Sequence, residues 1–225
     1  LTEEEVELFE NEGIRYYSNV MNTFRHAINK VIEKTEELDV EIIAPGHGPV
    51  YRENPEKIID SYRRYSKYSE GAGKNEVCIL WGSMYGMTEI AVNHVQDILK
   101  SKGIKTNILK MPYESDSEVI AKVARSAGIV IAAPTYEYNL FPPVAAALDE
   151  IGRKKITNKV AFRFGSYGWS GGAEKELKEI VERRRMQWDF IESVEFEGAP
   201  NKEDLDKVEE GLVQLIEKMQ DKVID

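Results

Sequence analysis

The apolar positions in residues 76–225 fall into two alternating patterns. Short unbroken apolar runs predict buried strands, and segments in which apolar residues recur every three to four positions predict amphipathic helices. The predicted strands are 77–81, 106–110, 128–133, 159–164 and 193–196, and the predicted helices are 88–102, 115–126, 142–152, 172–185 and 202–223. Five strands alternating with five helices predict an α/β fold in which helices cover both faces of a doubly wound, five-stranded parallel sheet.

The first seventy residues have a different pattern. Helical spacing predicts helices over 2–10, 15–38 and 55–68. Thr2 and Glu5 have the spacing of a capping box at the start of the first helix. A short apolar run predicts a strand over 40–44, and the loop that follows it carries His47 between glycines and prolines.

The stretch 71–75 separates these two patterns. Its sequence GAGKN contains two glycines and is typical of a linker. We therefore predict a boundary there, with residues 1–70 belonging to one domain and residues 76–225 forming a second. The chain begins at Leu1 without a methionine, and we expect it to be a fragment.

Composition and charge limit the partners. The net charge of −10 disfavours binding to nucleic acid or to an anionic membrane, because both require a basic surface. No apolar run is long enough to span a membrane. The single cysteine, Cys78, cannot form an intrachain disulfide and lies inside a predicted strand, so we expect a buried thiol and a reducing cytoplasm.

Three segments combine hydroxyls, glycines and aromatics, each after a predicted strand. They are the first loop (82–88, GSMYGMT), the second loop (134–139, PTYEYN) and the third loop (165–172, GSYGWSGG). In sheets with the flavodoxin-like strand order, the strands before these loops are neighbours, and ligands bind outside the carboxyl ends of such strands.

The residue types in these loops suit one kind of ligand. Hydroxyls and a helix N-terminus suit a phosphate, glycines allow close backbone approach, and Tyr or Trp offer flat faces to a planar ring. Flavin mononucleotide (FMN), a planar heterocycle with one phosphate, has these features. Two simpler interpretations stay open at this point: the first loop is only a strand-to-helix connection, and the aromatics only pack at the rim.

Three motifs resemble those of a known family. SMYGMTE (83–89) is similar to the phosphate loop of flavodoxin-like domains, and GSYGWSGGA (165–173) is similar to the third flavin loop of flavodiiron proteins, also called A-type flavoproteins. DVEIIAPGHGPVYRENPEKII (39–59) resembles the last part of the metallo-β-lactamase-like domain that precedes the flavodoxin-like domain in that family. The resemblance spans essentially the whole chain.

The resemblance implies a set of site residues. It implies that a flavodoxin-like FMN-binding domain follows the C-terminal remnant of a metallo-β-lactamase-like αββα domain. His47 matches the last histidine ligand of the family's non-haem diiron site, whereas His26 and His94 match no ligand and are expected in surface or packing roles. The residues expected to bind FMN are Ser83, Met84, Tyr85, Gly86, Met87, Thr88, Pro134, Thr135, Tyr136, Tyr138, Asn139, Ser166, Tyr167, Gly168, Trp169 and Gly171.

The resemblance also implies an activity and partners. The whole enzyme would reduce dioxygen to water or nitric oxide to nitrous oxide at the diiron site, and FMN would relay the electrons. The expected donors are rubredoxin or a reduced deazaflavin, and the expected assembly is a head-to-tail homodimer. We expect no side chain of this chain to act as an acid, base or nucleophile.

Two departures from the family pattern matter. The second loop has Glu137-Tyr138-Asn139 where the family often has Asn-Asn-Gly, so Asn139 would have to supply the left-handed backbone. The other iron ligands, including a His-x-Glu-x-Asp-His motif, are absent, so we expect this fragment to be inactive as a reductase. The alternatives are a stand-alone flavodoxin-type electron carrier or FMN-dependent reductase, and an interaction module without cofactor.

Overall fold

The computed structural model describes residues 3–35 and 37–224. A helical segment, made up of the described residues up to 70, precedes a parallel sheet. The helices are α1 (Glu3–Tyr16), α2 (Arg25–Thr35), α3 (Glu56–Ser69), α4 (Met87–Ser101), α5 (Asp116–Arg125), α6 (Pro142–Arg153), α7 (Ala173–Arg183) and α8 (Lys202–Met219). The strands are β1 (Lys74–Trp81), β2 (Lys105–Lys110), β3 (Ser126–Ala132), β4 (Thr135–Tyr136), β5 (Asn139–Leu140), β6 (Val160–Tyr167) and β7 (Asp189–Glu197).

Five strands form one parallel sheet in the order β2-β1-β3-β6-β7. The predicted α/β fold with its doubly wound, flavodoxin-like sheet is therefore confirmed. β1, β3 and β6 lie side by side at the centre, and the order reverses between β1 and β3. The carboxyl ends of these three strands meet at one edge, where such sheets bind ligands.

Two apolar cores cover the two faces of the sheet. On one face Val77 and Phe162 pack with residues of α4 and α8. On the other face Leu80 and Ile131 pack with residues of α5, α6 and α7. Because the central strands are buried on both sides, their sequences are nearly continuous apolar runs, which is why they were recognisable. Cys78 is fully buried and free, as predicted.

The helical segment differs from the prediction. Instead of one helix over 15–38, a π-helical turn (Tyr17–Met21) and a 3-10 turn (Asn22–Phe24) separate α1 from α2. The predicted strand 40–44 contributes only a single antiparallel bridge between Ile43 and Tyr51. The bridge does not extend into a ladder toward the loop, because the next pair to exchange hydrogen bonds would be Pro45 and Pro49, which have no backbone N–H. The predicted capping box at Thr2 lies outside the described residues.

The helical segment packs on α5. Ile14, Tyr17, Tyr65 and Tyr68 form a buried cluster with Ala121 of that helix. The Tyr17 ring centroid lies 5.3 Å from that of Tyr62 and 5.8 Å from that of Tyr65. The contact is therefore an apolar core of its own.

None of the described helices has the length and apolar composition needed to cross a bilayer.

The stretch around 71–73 is held on several sides. Gly73 N donates to Lys222 O at 2.9 Å, and Ile224 N donates back to Gly73 O at 2.9 Å. A Cβ at Gly71 would lie 2.5 Å from Asn158 O, and one at Gly73 would lie 2.4 Å from Ala127 N. These glycines are needed for close backbone approach. The domain boundary at 71–75 stays a prediction.

Candidate functional site

The first, second and third loops meet at the carboxyl edge of β1, β3 and β6. Gly82 N donates to Ala132 O at 2.9 Å, and Ala133 N donates to Phe164 O at 3.0 Å. A Cβ at Gly82 would lie 2.6 Å from the ring of Phe141, so the chain leaves β1 against α6. The sheet thus brings all three predicted loops to one edge.

The first loop presents the start of α4 to solvent. Gly86 is the N-cap residue, with φ of 83°, and no side chain caps the helix within the described residues. Its own N–H donates to Ser83 Oγ at 2.9 Å, which folds the loop into a tight turn. The first backbone N–H groups of α4 therefore point out of the helix without a side-chain acceptor, an arrangement that attracts anions.

Thr88 and Ser166 join the first loop to the third. Both are buried, and their hydroxyl oxygens lie 3.0 Å apart. The backbone N–H of Ser166 also points at Thr88 Oγ1, at 3.4 Å. Both were predicted to contact a ligand, and the structure places their hydroxyls in contact with each other, so they position the two loops.

The second loop is a β-hairpin formed by β4 and β5, which the sequence pattern did not predict. Glu137 and Tyr138 are its central residues and have left-handed φ values of 47° and 64°. The expectation that Asn139 supplies the left-handed backbone is wrong, because a two-residue hairpin turn needs positive φ at both central positions. Asn139 starts β5 instead, and its Nδ2 donates to Glu137 O at 2.9 Å.

Contacts with α7 fix the position of this hairpin. Leu140 N donates to Glu176 Oε2 at 2.7 Å, and Ala173 N donates to Thr135 Oγ1 at 3.4 Å. A Cβ at Gly172 would lie 2.1 Å from Tyr138 O, so the second and third loops touch through backbone. The hydroxyl of Thr135, which was predicted to contact a ligand, therefore accepts a hydrogen bond from the start of α7.

Large aromatic side chains project from all three loops into solvent. Tyr85 is 83% exposed, Tyr138 61% and Trp169 83%, and Met84 and Tyr136 are also exposed. If these aromatics only packed at the rim, their rings would be buried, but they are exposed. A group of exposed aromatics around one edge is typical of a surface that binds a ligand or a partner.

Lys110 brings a positive charge near the first loop. Its Nζ lies 4.7 Å from the ring centroid of Trp81, the residue before the loop, and 4.0 Å from Glu89 Oε1 in the first turn of α4. The first loop itself contains no Lys or Arg. Sequence inspection missed this residue because it comes from β2, whose place beside β1 is visible only in the fold.

Arg163 and Glu195 form an ion pair beneath the third loop. Arg163 is 0% exposed, and its Nη1 donates to Glu195 Oε1 at 2.6 Å. Burial lowers the pKa of Arg163, and the facing Glu195 carboxylate opposes that shift. Sequence inspection missed this pair, although a charged residue within the apolar run VAFRF was a signal that could have revealed it.

His47 belongs to no metal-binding cluster among the residues that the structure describes. It is exposed, and its ring centroid lies 6.0 Å from that of Tyr16. Residues 3–35 and 37–224 contain no group of three or more His, Cys, Asp or Glu that could hold a metal ion. The residues described thus do not form a diiron site by themselves. His26 is exposed, and His94 Nε2 lies 3.7 Å from Glu209 Oε2.

Comparisons with known proteins match this architecture. Residues 79–211 match the family described as Flavodoxin. The chain is 29% identical over 202 residues to a nitric oxide reductase of Moorella thermoacetica, covering 89% of this chain and 50% of that protein. It is 32% identical over 177 residues to an anaerobic nitric oxide reductase flavorubredoxin of Vibrio vulnificus, covering 76% and 34% respectively.

A solved structure agrees with these relatives. A variant of the flavo di-iron protein from Thermotoga maritima superimposes with a TM-score of 0.83 at 25% identity, covering 97% of this chain and 54% of that one. The chain spans half or less of the length of these curated relatives. The chain belongs to the flavodoxin family, whose domains take FMN as cofactor, in the form in which that domain occurs in the C-terminal part of flavodiiron-type oxidoreductases.

Proposed function

We propose that the three loops bind FMN and that the chain uses it to pass electrons. The phosphate would lie at the first loop, against the uncapped start of α4, and the ring would lie between the second and third loops. The observation that carries this proposal is the convergence at one edge of a tight Ser83–Gly86 turn, an open helix N-terminus and the exposed rings of Tyr85, Tyr138 and Trp169.

Bound FMN would supply reversible uptake and release of electrons, and the residues of this chain would bind and orient it. The N–H groups of α4 would hold the phosphate through neutral donors. Trp169 and Tyr138 would cover apolar ring surface and keep water away from it. The contact between Thr88 and Ser166 would fix the distance between the phosphate-binding and ring-binding loops.

We further propose that the longer protein is a flavodiiron reductase acting on nitric oxide or dioxygen. In it, FMN would relay electrons from rubredoxin or a reduced deazaflavin to a non-haem diiron site. The names of the two nitric oxide reductase relatives support this, and they favour nitric oxide. His47 would supply one iron ligand, and the other ligands would come from residues outside this chain, which would leave this chain inactive as a reductase.

The surface of the helical segment supports a larger assembly. Large apolar residues of this segment that are exposed include Val20, Phe24, Val31, Ile42 and Val50. A groove of about 430 Å³, which includes Val31, is lined almost entirely by apolar atoms of Met21, α2, α3 and the 43–45 loop. We propose that residues 1–70 belong to a metallo-β-lactamase-like domain, which would cover this surface, and that the whole protein forms a head-to-tail homodimer.

Titration with FMN tests the flavin proposal. We expect the purified chain to bind one FMN, seen as quenching of flavin fluorescence and as a yellow protein after gel filtration. Trp169→Ala is expected to weaken binding about tenfold, because an aromatic face stacked on a planar base contributes roughly 1–3 kcal/mol.

Tyr113→Ala is the matched control for Trp169→Ala. Tyr113 is also an exposed aromatic, at 78%, but it lies outside the three loops. Its replacement is expected to leave FMN affinity unchanged. A colourless chain that takes up no added FMN would overturn the proposal. If Trp169→Ala and Tyr113→Ala lost the same amount of FMN affinity, the flavin ring would not bind at the third loop.

A further inference from the structure

A β-bulge brings Glu195 to the face of the sheet on which Arg163 lies. Phe162 pairs with Ile191 and Phe164 with Val194, so β7 has one residue more than β6 between these pairs. Both Ile191 and Val194 consequently pack on the α4–α8 side. Without the extra residue, Glu195 would point to that apolar side, and with it Glu195 points to the opposite side. Bulges of this kind are common next to functional sites, where they redirect a side chain.

The ion pair contacts the bases of two of the three loops. Arg163 Nη2 donates to Ala133 O at 3.3 Å, and Ala133 immediately precedes the second loop. Glu195 Oε1 accepts from Arg163, and a Cβ at Gly171 in the third loop would lie only 2.7 Å from Glu195 Oε2. The third loop therefore lies directly against this carboxylate, and a side chain at Gly171 would push either the loop or the Glu195 carboxylate aside.

A buried charge of this kind is costly unless it is matched. Arg163 is fully enclosed, its Nε has no hydrogen-bond partner within the described residues, and Glu195 is the carboxylate that balances it. An apolar residue at 163 would fit the surrounding core at less cost, since buried ion pairs rarely stabilise a fold more than apolar replacements do. The pair is thus better explained by what it does for the loops above it.

We propose that the Arg163–Glu195 pair positions the third loop for FMN and sets the charge felt by the bound ring. This inference rests on the proposed FMN site. The Glu195 carboxylate holds the loop at Gly171 and offsets the Arg163 cation. Loss of the carboxylate charge leaves a bare cation near the ring, which favours the reduced, more negative form of the flavin.

The reduction potential of bound FMN is the first measurement. In Glu195→Gln, reduced FMN is expected to bind about tenfold more tightly relative to oxidised FMN than in the unchanged chain, which is ~30 mV for a two-electron couple. Glu192→Gln is the matched control, because Glu192 lies in the same strand, is exposed and loses the same charge. If Glu195 had only a structural role, Glu195→Gln would change stability without raising the reduction potential of bound FMN.

A double-mutant cycle is the second measurement. It compares the cost of one loop substitution in two backgrounds, so any destabilisation by the change at Glu195 itself cancels. Gly171→Ala is expected to weaken FMN binding about tenfold, because its Cβ pushes the loop off the carboxylate. In a Glu195→Ala background, where that oxygen is gone, the same change is expected to cost no more than about threefold.

The outcomes separate this inference from the proposed function. An unchanged chain that binds no FMN overturns both. A chain that binds FMN, with Glu195→Gln indistinguishable in potential from Glu192→Gln, overturns the inference alone. Equal costs of Gly171→Ala in both backgrounds also overturn it, because the loop would then not rest on Glu195.

Discussion

Lys159 is buried just before β6, at the edge of the sheet opposite the three loops. Its Nζ donates to Ala72 O and Ala124 O, each at 2.6 Å, and to Ser126 O at 2.9 Å. Burial lowers the pKa of Lys159 to about 7 from its usual 10.5. One side chain thus ties the 71–73 stretch, the end of α5 and the start of β3 together.

Replacing Lys159 is expected to destabilise the chain in a pH-dependent way. Lys159→Met leaves three carbonyl oxygens without their donor, so we expect a loss of about 3 kcal/mol in the free energy of unfolding at pH 7. Between pH 7 and pH 10 the unfolded chain binds this proton and the folded chain does not, so folding of the unchanged chain gains stability as pH rises. The difference between the two proteins is therefore expected to widen by up to about 1.4 kcal/mol per pH unit.

Urea unfolding at pH 7, 8 and 9 measures this difference. Lys100→Met serves as a control, because Lys100 is exposed on α4. A difference that stays constant from pH 7 to 9 would mean that the three carbonyls keep the ammonium protonated. The role of Lys159 could not be foreseen from the sequence, because its three acceptors come from separate segments.

At the scale of elements, the hairpin of the second loop has an unusual turn. Glu137 and Tyr138 both adopt left-handed backbone, which glycine and asparagine tolerate better than other residues. Both side chains are exposed, so neither is held there by packing in a core. The backbone strain is retained at the place where the second loop meets the third.

Two glycine substitutions are expected to separate the turn's backbone from its side chains. Glu137→Gly and Tyr138→Gly each relieve a left-handed residue, and we expect each to leave stability unchanged or raise it by about 0.5–1 kcal/mol. Only Tyr138→Gly removes an aromatic face from the proposed ring site, so only it is expected to weaken FMN binding, by roughly fivefold. Thermal unfolding and FMN titration of the pair measure both effects, and equal affinity losses would exclude a role for the Tyr138 ring.

The sheet was predictable from the sequence, and several connections were not. The central strands are apolar runs separated by helical segments, so their number, order of appearance and parallel pairing followed from the pattern. The hairpin of β4 and β5 escaped because two-residue strands have no detectable period. The break between α1 and α2 escaped because Val20, Phe24 and Ala27 recur every three to four residues across it, the same apolar spacing that predicts a continuous helix.

The candidate site was predictable in its location and less so in its contacts. The three loops lie together as the sequence indicated, because topology fixes the edge at which they emerge. Thr88, Ser166 and Thr135 also form hydrogen bonds within the protein that the sequence did not indicate, and their contact with a ligand stays a prediction. Arg163 and Glu195 depend on a bulge that no sequence period reveals.

At the scale of the molecule, Arg125 joins the helical segment to the sheet. Arg125 at the end of α5 donates to Glu76 Oε1 at 2.5 Å and to Oε2 at 2.8 Å, and also to Asn11 of α1. Arg125 and Glu76 are both buried. Together with the tyrosine cluster packed on α5, these contacts tie the helical segment to the sheet.

The chain is expected to unfold in a single transition. Tryptophan fluorescence reports only residues 81, 169 and 188, which lie in the sheet domain, whereas far-UV circular dichroism reports all helices. Because these contacts tie the helical segment to α5, we expect both signals to have the same urea midpoint. Arg125→Met is expected to lower the free energy of unfolding by about 3–5 kcal/mol by leaving the Glu76 charge buried and unmatched.

Arg52→Met is the control for Arg125→Met, since Arg52 is exposed. Its effect on the free energy of unfolding is expected to lie within about 0.5 kcal/mol of zero. Two separate midpoints in the unchanged chain would mean that the helical segment unfolds independently, and the predicted boundary at 71–75 would then be a true break in cooperativity.

The contacts made by residues 71–73 determine where the chain can be truncated for expression. Truncation at residue 76 would remove the first residues of β1, the Ala72 oxygen that receives Lys159, and the backbone partner of Ile224. Such a truncated protein would lose backbone hydrogen bonds at its N-terminus and its C-terminus. Lys159 would stay buried with one of its acceptors missing. A shorter version for crystallisation or labelling should therefore start upstream of Gly71, even though composition alone makes this stretch look dispensable.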